Sequence, residues 1–290
     1  MPFEVHQPDS VAEAVRLAGT LPSDARFLAG GTDLIIQINR KRSNPLHLIA
    51  LDRIAALHGI EIGDRHIRLG ALTTHKMIER HPAFAGPYAA LAEAARVVGG
   101  HQIRNVGTIG GNVANASPAA DLLPALLALN ADVVLIGSEG SRQVPLSRFL
   151  RGPGITDRAD DELLVQVVID RPSPKVATAF LKAGRRRAME ISVVCAAALL
   201  ERDEAGNCRT VRIALGAVGP VASRAVEAEE ILQGQPPTQA ALREAGRRAA
   251  FACTPISDVR ASADYRRMLV EALVPRALKL CLQRIEERAA

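Results

Sequence analysis

Between two apolar segments at residues 91–98 and 133–136 the chain runs through Gly99-Gly100-His101-Gln102-Ile103-Arg104-Asn105-Val106-Gly107-Thr108-Ile109-Gly110-Gly111-Asn112-Val113-Ala114-Asn115-Ala116-Ser117-Pro118-Ala119-Ala120-Asp121. Glycines and small polar side chains offer little here for a core, so the main chain itself is expected to be the working surface. Glycine lets successive amides turn toward one point and lets a bulky ligand reach the backbone, the arrangement by which backbone nests hold anions such as pyrophosphate. A shorter stretch of the same kind, Ala29-Gly30-Gly31-Thr32-Asp33, stands earlier. Two such loops are better evidence for an anion site than either alone.

The 290 residues allow about two domains at ~100–200 residues each, and a 48% hydrophobic content supports full cores. The net charge is +5, with basic residues spread along the chain except at Arg185-Arg186-Arg187. That distribution lacks the footprint of a nucleic-acid binder, and a locally bound anion is a better reason for the excess. Cys195, Cys208, Cys253 and Cys281 are far apart, with no Cys-x-x-Cys and no Cys/His cluster. This argues against a zinc site or an iron–sulfur cluster in the chain and reads as free thiols in a reducing cytoplasm. Residues 1–7 contain Glu4 and His6 and lead into no apolar run of the signal-peptide kind. The apolar stretches at 122–131 and 193–200 are too short or interrupted for a bilayer, which needs ~20 residues. A cytoplasmic protein is expected.

Residues 3–6 alternate like a short strand, and Ser10 is a suitable N-cap for a helix over 11–19 with apolar Val11, Ala14, Val15 and Ala18 at helical spacing. Residues 26–29 read as a strand ending in Gly30-Gly31, followed by a helix over 34–40 that Thr32 or Asp33 can cap. The free amides of that helix add positive potential at the loop. Asp33 fits a cap better than a phosphate ligand, because two anions repel. A buried strand is expected over 46–51, a hairpin from 60–62 and 66–69 around Gly63-Asp64, and a helix from Thr73 or Thr74 to Glu79. A helix over 88–98 delivers the chain into the long glycine segment, after which Asp121 could cap 122–128. A second hairpin joins 133–136 to 141–144, Gly152-Pro153-Gly154 reads as a mobile loop, and 163–169 as a strand. Arg171-Pro172-Ser173-Pro174 reads as a linker. Beyond it, strands at 178–182, 191–201 and 211–218 precede helices at 225–232, 238–252 and 264–288, a pattern that indicates a separate α+β domain.

Neither glycine segment has the spacing of a P-loop or of the Rossmann fingerprint. A kinase or a simple nicotinamide dehydrogenase is therefore not expected. Gly30-Gly31 taken alone is as well explained by a tight strand-to-helix turn. Thr108, Asn112, Asn115 and Ser117 offer donors beside Gly110-Gly111, and Asp121 is an acceptor for ribose hydroxyls or an adenine amino group. Each alone is more often a turn or cap residue; gathered within fourteen positions they favour a nucleotide site. His101 reads as a loop residue satisfied by its neighbours, and Arg104 as solvated or salt-bridged. The Arg185-Arg186-Arg187 run reads as a solvated face, with Lys182 before it at a strand end where it could approach a phosphate or a flavin carbonyl. A branched side chain at Gly111 is expected to fill the space of a phosphate and to disfavour a positive φ.

Residues 29–34 and 102–112, followed by Ser117-Pro118-Ala119-Ala120-Asp121-Leu122, resemble the two FAD loops of the flavoprotein subunit of molybdenum hydroxylases. That family includes xanthine dehydrogenase, aerobic carbon monoxide dehydrogenase (medium subunit), nicotinate dehydrogenase and 4-hydroxybenzoyl-CoA reductase. Phe180-Leu181-Lys182 and Arg260-Ala261-Ser262-Ala263-Asp264-Tyr265-Arg266 resemble its C-terminal domain, so the likeness covers the whole chain. It implies an α+β protein: a vanillyl-alcohol-oxidase (PCMH) type FAD-binding domain over 1–173, in subdomains of about 1–57 and 58–173, and a C-terminal α+β domain of the CO dehydrogenase flavoprotein type over 174–290. By position, Ala29, Gly30, Gly31, Thr32, Asp33 and Leu34 would wrap the pyrophosphate, with Thr108, Gly110, Gly111 and Asn112 opposite. Asp121 would bind the ribose or adenosine part, and Leu164 and Lys182 would lie near the flavin or its phosphates. No residue is assigned a catalytic role and no metal is expected.

The function implied is electron transfer. A molybdopterin-containing large subunit would oxidise the substrate, a [2Fe-2S] small subunit would relay electrons, and FAD here would pass them to NAD or another acceptor, in the manner of xanthine dehydrogenase. The alternative is the medium subunit of a carbon monoxide dehydrogenase or aldehyde oxidase type enzyme that uses quinone or oxygen. Outside enzymes, the residues also suit a nucleotide-binding scaffold without redox chemistry. Family members that reduce NAD often place an aromatic residue beside the flavin from the loop after the Phe149 position, whereas this chain has Arg151-Gly152-Pro153-Gly154-Ile155. The acceptor is thereby left open. The cysteine-rich insertion of benzoyl-CoA-type reductases has no counterpart here.

Overall fold

A computed structural model describes residues 3–289 apart from Ser23, Pro172, Pro174, Arg187 and Ala188. Two prolines of the expected linker and one arginine of the basic run thus lie outside the described residues. The first 50 residues build a small parallel sheet from β1 (Glu4–His6), β2 (Arg26–Leu28) and β3 (His47–Ala50), in the order β1-β3-β2. Parallel neighbours need crossovers, and the helices Val11–Thr20 and Leu34–Asn39 supply them. Ser10 caps the first as expected, its hydroxyl accepting from the Glu13 amide at 3.2 Å. Asp33 stands at the head of the second but makes no capping bond, because its backbone is already helical.

The middle of the chain forms an antiparallel sheet. Strands β4 (Ile60–Ile62), β5 (His66–Gly70), β6 (Asp132–Gly137) and β7 (Gly140–Pro145) are the two hairpins read from the sequence. After the small hairpin of β8 (Leu150–Gly152) and β9 (Ile155–Thr156), strand β10 (Leu163–Asp170) enters between them, giving the order β4-β5-β10-β6-β7. The stretch expected to be a mobile loop, Gly152-Pro153-Gly154, is the turn of that small hairpin, and the Gly154 amide donates to the Ala116 carbonyl at 3.1 Å.

The third layer is the sheet β11 (Val176–Ala183), β12 (Val194–Arg202), β13 (Cys208–Gly216) and β14 (Ser223–Arg224), antiparallel throughout. Side chains alternate between the faces of a strand, and on β12 both sets are buried. Cys195, Ala197 and Leu199 join a core with the helix Leu122–Ala128, whereas Val194, Ala196, Ala198 and Leu200 pack with the helices Gln239–Ala252 and Ala263–Ala289. Every residue of Leu122–Ala128 is buried, as expected of a helix apolar all round. Asp121 precedes it without capping it, its backbone being helical and its carboxylate engaged elsewhere. All four cysteines are buried free thiols, and Cys208 and Cys253 are pushed up to about 11 by burial.

Candidate functional site

Where β2 ends, the chain turns through Ala29-Gly30-Gly31-Thr32-Asp33 into the helix Leu34–Asn39. Gly31 has φ +69, a left-handed conformation that L side chains rarely adopt. Gly30 serves closeness instead: a β-carbon there would overlap the Val106 carbonyl oxygen, so its missing side chain lets the first glycine segment lie on the second. The amides of residues 30–34 find no acceptor among the described residues. Such a row of unspent donors at a helix N-terminus suits an anion.

The second segment is not an open loop. It holds two short helices, His101–Val106 and Ile109–Asn115. Thr108 caps the second, its hydroxyl accepting from the Gly111 amide at 3.1 Å. The Ile109 and Gly110 amides donate to the Thr73 and Ala71 carbonyls, both at 2.9 Å. The reading of a second backbone nest at Gly110-Gly111 therefore gives way to a helix docked on the end of β5. Gly110 makes that docking possible, since a β-carbon would lie 2.6 Å from that of Ala71. Gly111 is helical rather than of positive φ, so only the steric half of the expectation for a branched side chain there applies.

Between the two segments lies a cleft of about 720 Å³, within the usual range of ligand sites. Of the residues assigned to a cofactor from sequence, Ala29, Gly30, Gly31, Thr32, Asp33, Leu34, Thr108, Gly111, Asn112 and Asp121 line it. Asn115 and Ser117 do so as well. Gly110, Leu164 and Lys182 do not. Gly110 is turned to Ala71, and Leu164 is 4% exposed within the main core. The Lys182 ammonium is spent behind the wall, donating to Asp121 Oδ2 at 2.7 Å, the Glu190 carbonyl at 2.8 Å and the Val97 carbonyl at 3.3 Å. Asp121 also accepts from the Ser192 hydroxyl. Burial pushes the Asp121 carboxyl above its ordinary range, and the Lys182 charge and these hydrogen bonds only partly oppose it. Burial alone raises Asp33.

The cleft also contains residues that carried no pattern in the sequence. His75 is 3% exposed and its Nδ1 has no partner among the described residues. Burial, aided by the Arg104 charge, lowers its pKa from 6.5 to about 4, so the ring is neutral at pH 7. Nothing marked it beyond its place after Thr74, which caps the helix His75–Arg80 by accepting from the Met77 amide. Arg26 and Arg158 bring positive charge, with the Arg158 guanidinium 5.8 Å from the centre of the Phe27 ring. Arg158 sits in an acidic stretch that hides it. Met189 and Ile191 give the mouth an apolar edge. Arg104 is salt-bridged to Glu79 at 3.1 Å, one of the two fates expected of it, and His101 is exposed beside Asn105.

The donor set fits FAD. The amides of residues 30–34, without an acceptor among the described residues, lie on the cleft that Thr108, Asn112 and Asn115 also line. Residues 1–172 match the FAD binding domain in molybdopterin dehydrogenase, and residues 179–280 the CO dehydrogenase flavoprotein C-terminal domain. The chain is 37% identical to the nicotinate dehydrogenase FAD-subunit of Eubacterium barkeri over 81% of each chain. It is 34% identical to the carbon monoxide dehydrogenase medium chain of Hydrogenophaga pseudoflava over 95% of this chain and 96% of that one. Among solved structures, the carbon monoxide dehydrogenase from Hydrogenophaga pseudoflava that lacks the Mo-pyranopterin moiety superposes with a TM-score of 0.94, at 34% identity and 98% coverage of both chains. Quinoline 2-oxidoreductase from Pseudomonas putida 86 superposes at 0.91, with 29% identity and 98% coverage of both. No helix among the described residues is long and apolar enough to cross a membrane. The chain belongs to the FAD-binding subunits of the molybdenum hydroxylases, an oxidoreductase component whose cofactor is FAD.

Proposed function

We propose that this chain takes electrons from the clusters of a [2Fe-2S] small subunit, in a cytoplasmic complex with a molybdopterin-containing large subunit, and passes them through FAD to NAD or another acceptor. The observation that carries the reading is the row of amides at residues 30–34, without an acceptor among the described residues, on a cleft lined by ten of the thirteen residues assigned to FAD. When bound, FAD supplies the exchange of electrons between one-electron and two-electron partners. The chain's own residues do the rest. The amides of 30–34 hold the diphosphate, with the helix Leu34–Asn39 and Arg26 and Arg158 adding positive potential. Asp121, oriented by Lys182 and Ser192, accepts from ribose hydroxyls. Each of its oxygens keeps acceptor capacity beyond the bond it already receives. His75 is neutral and adds no charge beside the cofactor. Met189 and Ile191 limit the access of water at the mouth.

A second reading, transfer to quinone or oxygen, draws support from the TM-score of 0.94 to carbon monoxide dehydrogenase and from the turn 152–155, which has no aromatic residue. Absorbance of the purified chain followed by acid release tests the cofactor site, with about one free FAD per chain expected. A colourless chain that takes up no FAD on addition sinks the placement of the site and favours a non-redox scaffold. Anaerobic reduction and then reoxidation by NAD or by a quinone decides between the two acceptors.

A further inference from the structure

The edge of the N-terminal sheet carries a cluster of ligating side chains that has no part in the FAD cleft. Glu4 and His6 are two residues apart on β1, so both side chains leave the same face of the strand. His47 opens β3 and is the register partner of Glu4, which places its side chain beside that of Glu4 on that face. Alternation along β1 and the register with β3 thus bring two imidazoles and one carboxylate together without any loop. His6 Nε2 lies 3.1 Å from His47 Nδ1 and 4.0 Å from Glu4 Oε1, and His47 Nδ1 lies 3.7 Å from Glu4 Oε2.

Those separations are what a small metal ion requires. Ligands at ~2.0–2.2 Å in tetrahedral directions stand about 3.3–3.6 Å from one another, and the three distances here bracket that value. Two nitrogens and one oxygen are a borderline donor set suited to zinc and its neighbours, not the all-oxygen set of magnesium or calcium. The imidazoles are largely covered, at 18% and 20% side-chain exposure, while Glu4 is 67% exposed on the edge strand. A fourth position is therefore open to water from the sheet edge. A hydrogen bond between the two imidazoles accounts for the 3.1 Å contact alone but gives no reason for the carboxylate that closes the triangle.

We propose that Glu4, His6 and His47 bind one divalent transition-metal ion of the zinc class, cross-tying β1 to the central strand β3. The test is Zn²⁺ titrated by calorimetry into the FAD-loaded full chain at about pH 7.5, where about one ion per chain is expected. Expected losses in affinity are roughly a hundredfold for H6A/H47A and roughly tenfold for Glu4→Gln, with Mg²⁺ failing to compete. Unchanged flavin content and melting temperature of H6A/H47A without Zn²⁺ establish that it folds. A native chain that binds no Zn²⁺, or a double variant that binds it as well as the native chain, overturns the proposal. Zinc X-ray absorption on the native chain is independent of any variant. Two nitrogen neighbours and oxygen at ~2.0–2.2 Å support the site, and sulfur or oxygen alone overturns it.

Discussion

The two glycine segments look alike in sequence and are used in opposite ways. In residues 29–33 the glycines free the main chain: the turn leaves five consecutive amides, at 30–34, without an acceptor among the described residues. In residues 109–112 the amides are spent, on the Thr73 and Ala71 carbonyls and on the hydroxyl and carbonyl of Thr108, and the glycines serve the close docking of a helix. The difference teaches that a glycine-rich stretch announces closeness of approach, and that only the hydrogen-bond account of its amides says whether what comes close is a ligand or the protein itself.

Gly30→Ala strikes the point where the two segments touch. A β-carbon overlapping the Val106 carbonyl forces them apart, so flavin content should fall to near zero and stability by on the order of 3 kcal/mol. An alanine variant that keeps its FAD and melts normally breaks the comparison at its root. Lys182→Met comes next. Losing one partner of the Lys182–Asp121 pair, with side chains 12% and 7% exposed, should cost about 3 kcal/mol, with much of the loss recovered by D121N/K182M. Weaker FAD binding at unchanged stability would instead return Lys182 to the cofactor.

His75, whose amide donates to the Gly107 carbonyl at 3.0 Å, gives a pH signature. Its folded pKa of about 4 lies below the ordinary 6.5, so between these values the unfolded chain binds more protons than the folded one. Stability from this group is complete above pH 6.5 and is lost as pH falls toward 4, by about 3 kcal/mol in all. H75Q should flatten that part of a stability-against-pH curve measured by denaturant melts. The smallest effect is expected of Gly111→Ala. Beyond its chain neighbours and the backbone of its own helix, the added carbon meets only Thr108 Oγ1, at 3.0 Å, among the described residues, and helix propensity offsets the crowding to within about 1 kcal/mol. FAD affinity should still fall roughly tenfold, about 1.4 kcal/mol, because the carbon enters the cleft; unchanged affinity would place the ligand elsewhere.

Much of this was legible in the chain. Alternation and turn residues marked both hairpins of the middle sheet, and Ser10 and Thr74 marked helix starts because their hydroxyls accept from amides three residues on. Ten of the thirteen residues assigned to FAD by resemblance line one cleft. What escaped depended on distant partners. The helix at 109–115 is unfavourable on glycine content and exists because Thr73 and Ala71 accept its first two amides. Asp33 and Asp121 have the composition of caps but a helical backbone. The continuous apolar run of β12 is read as a strand, yet its burial on both faces becomes clear only when Cys195 and Ala196 are found in different cores.

That two-faced burial bears on how this protein can be taken apart and recombined. The portions matching two separate family descriptions meet at a single apolar core, where Leu122 to Leu129 pack among Phe180, Cys195, Leu199 and Ala214. A fragment cut between them would carry one exposed greasy face in each half. Chimaeras with relatives would therefore have to exchange the helix Leu122–Ala128 together with the sheet it rests on, making the contact surface and not the boundary in the sequence the unit of inheritance.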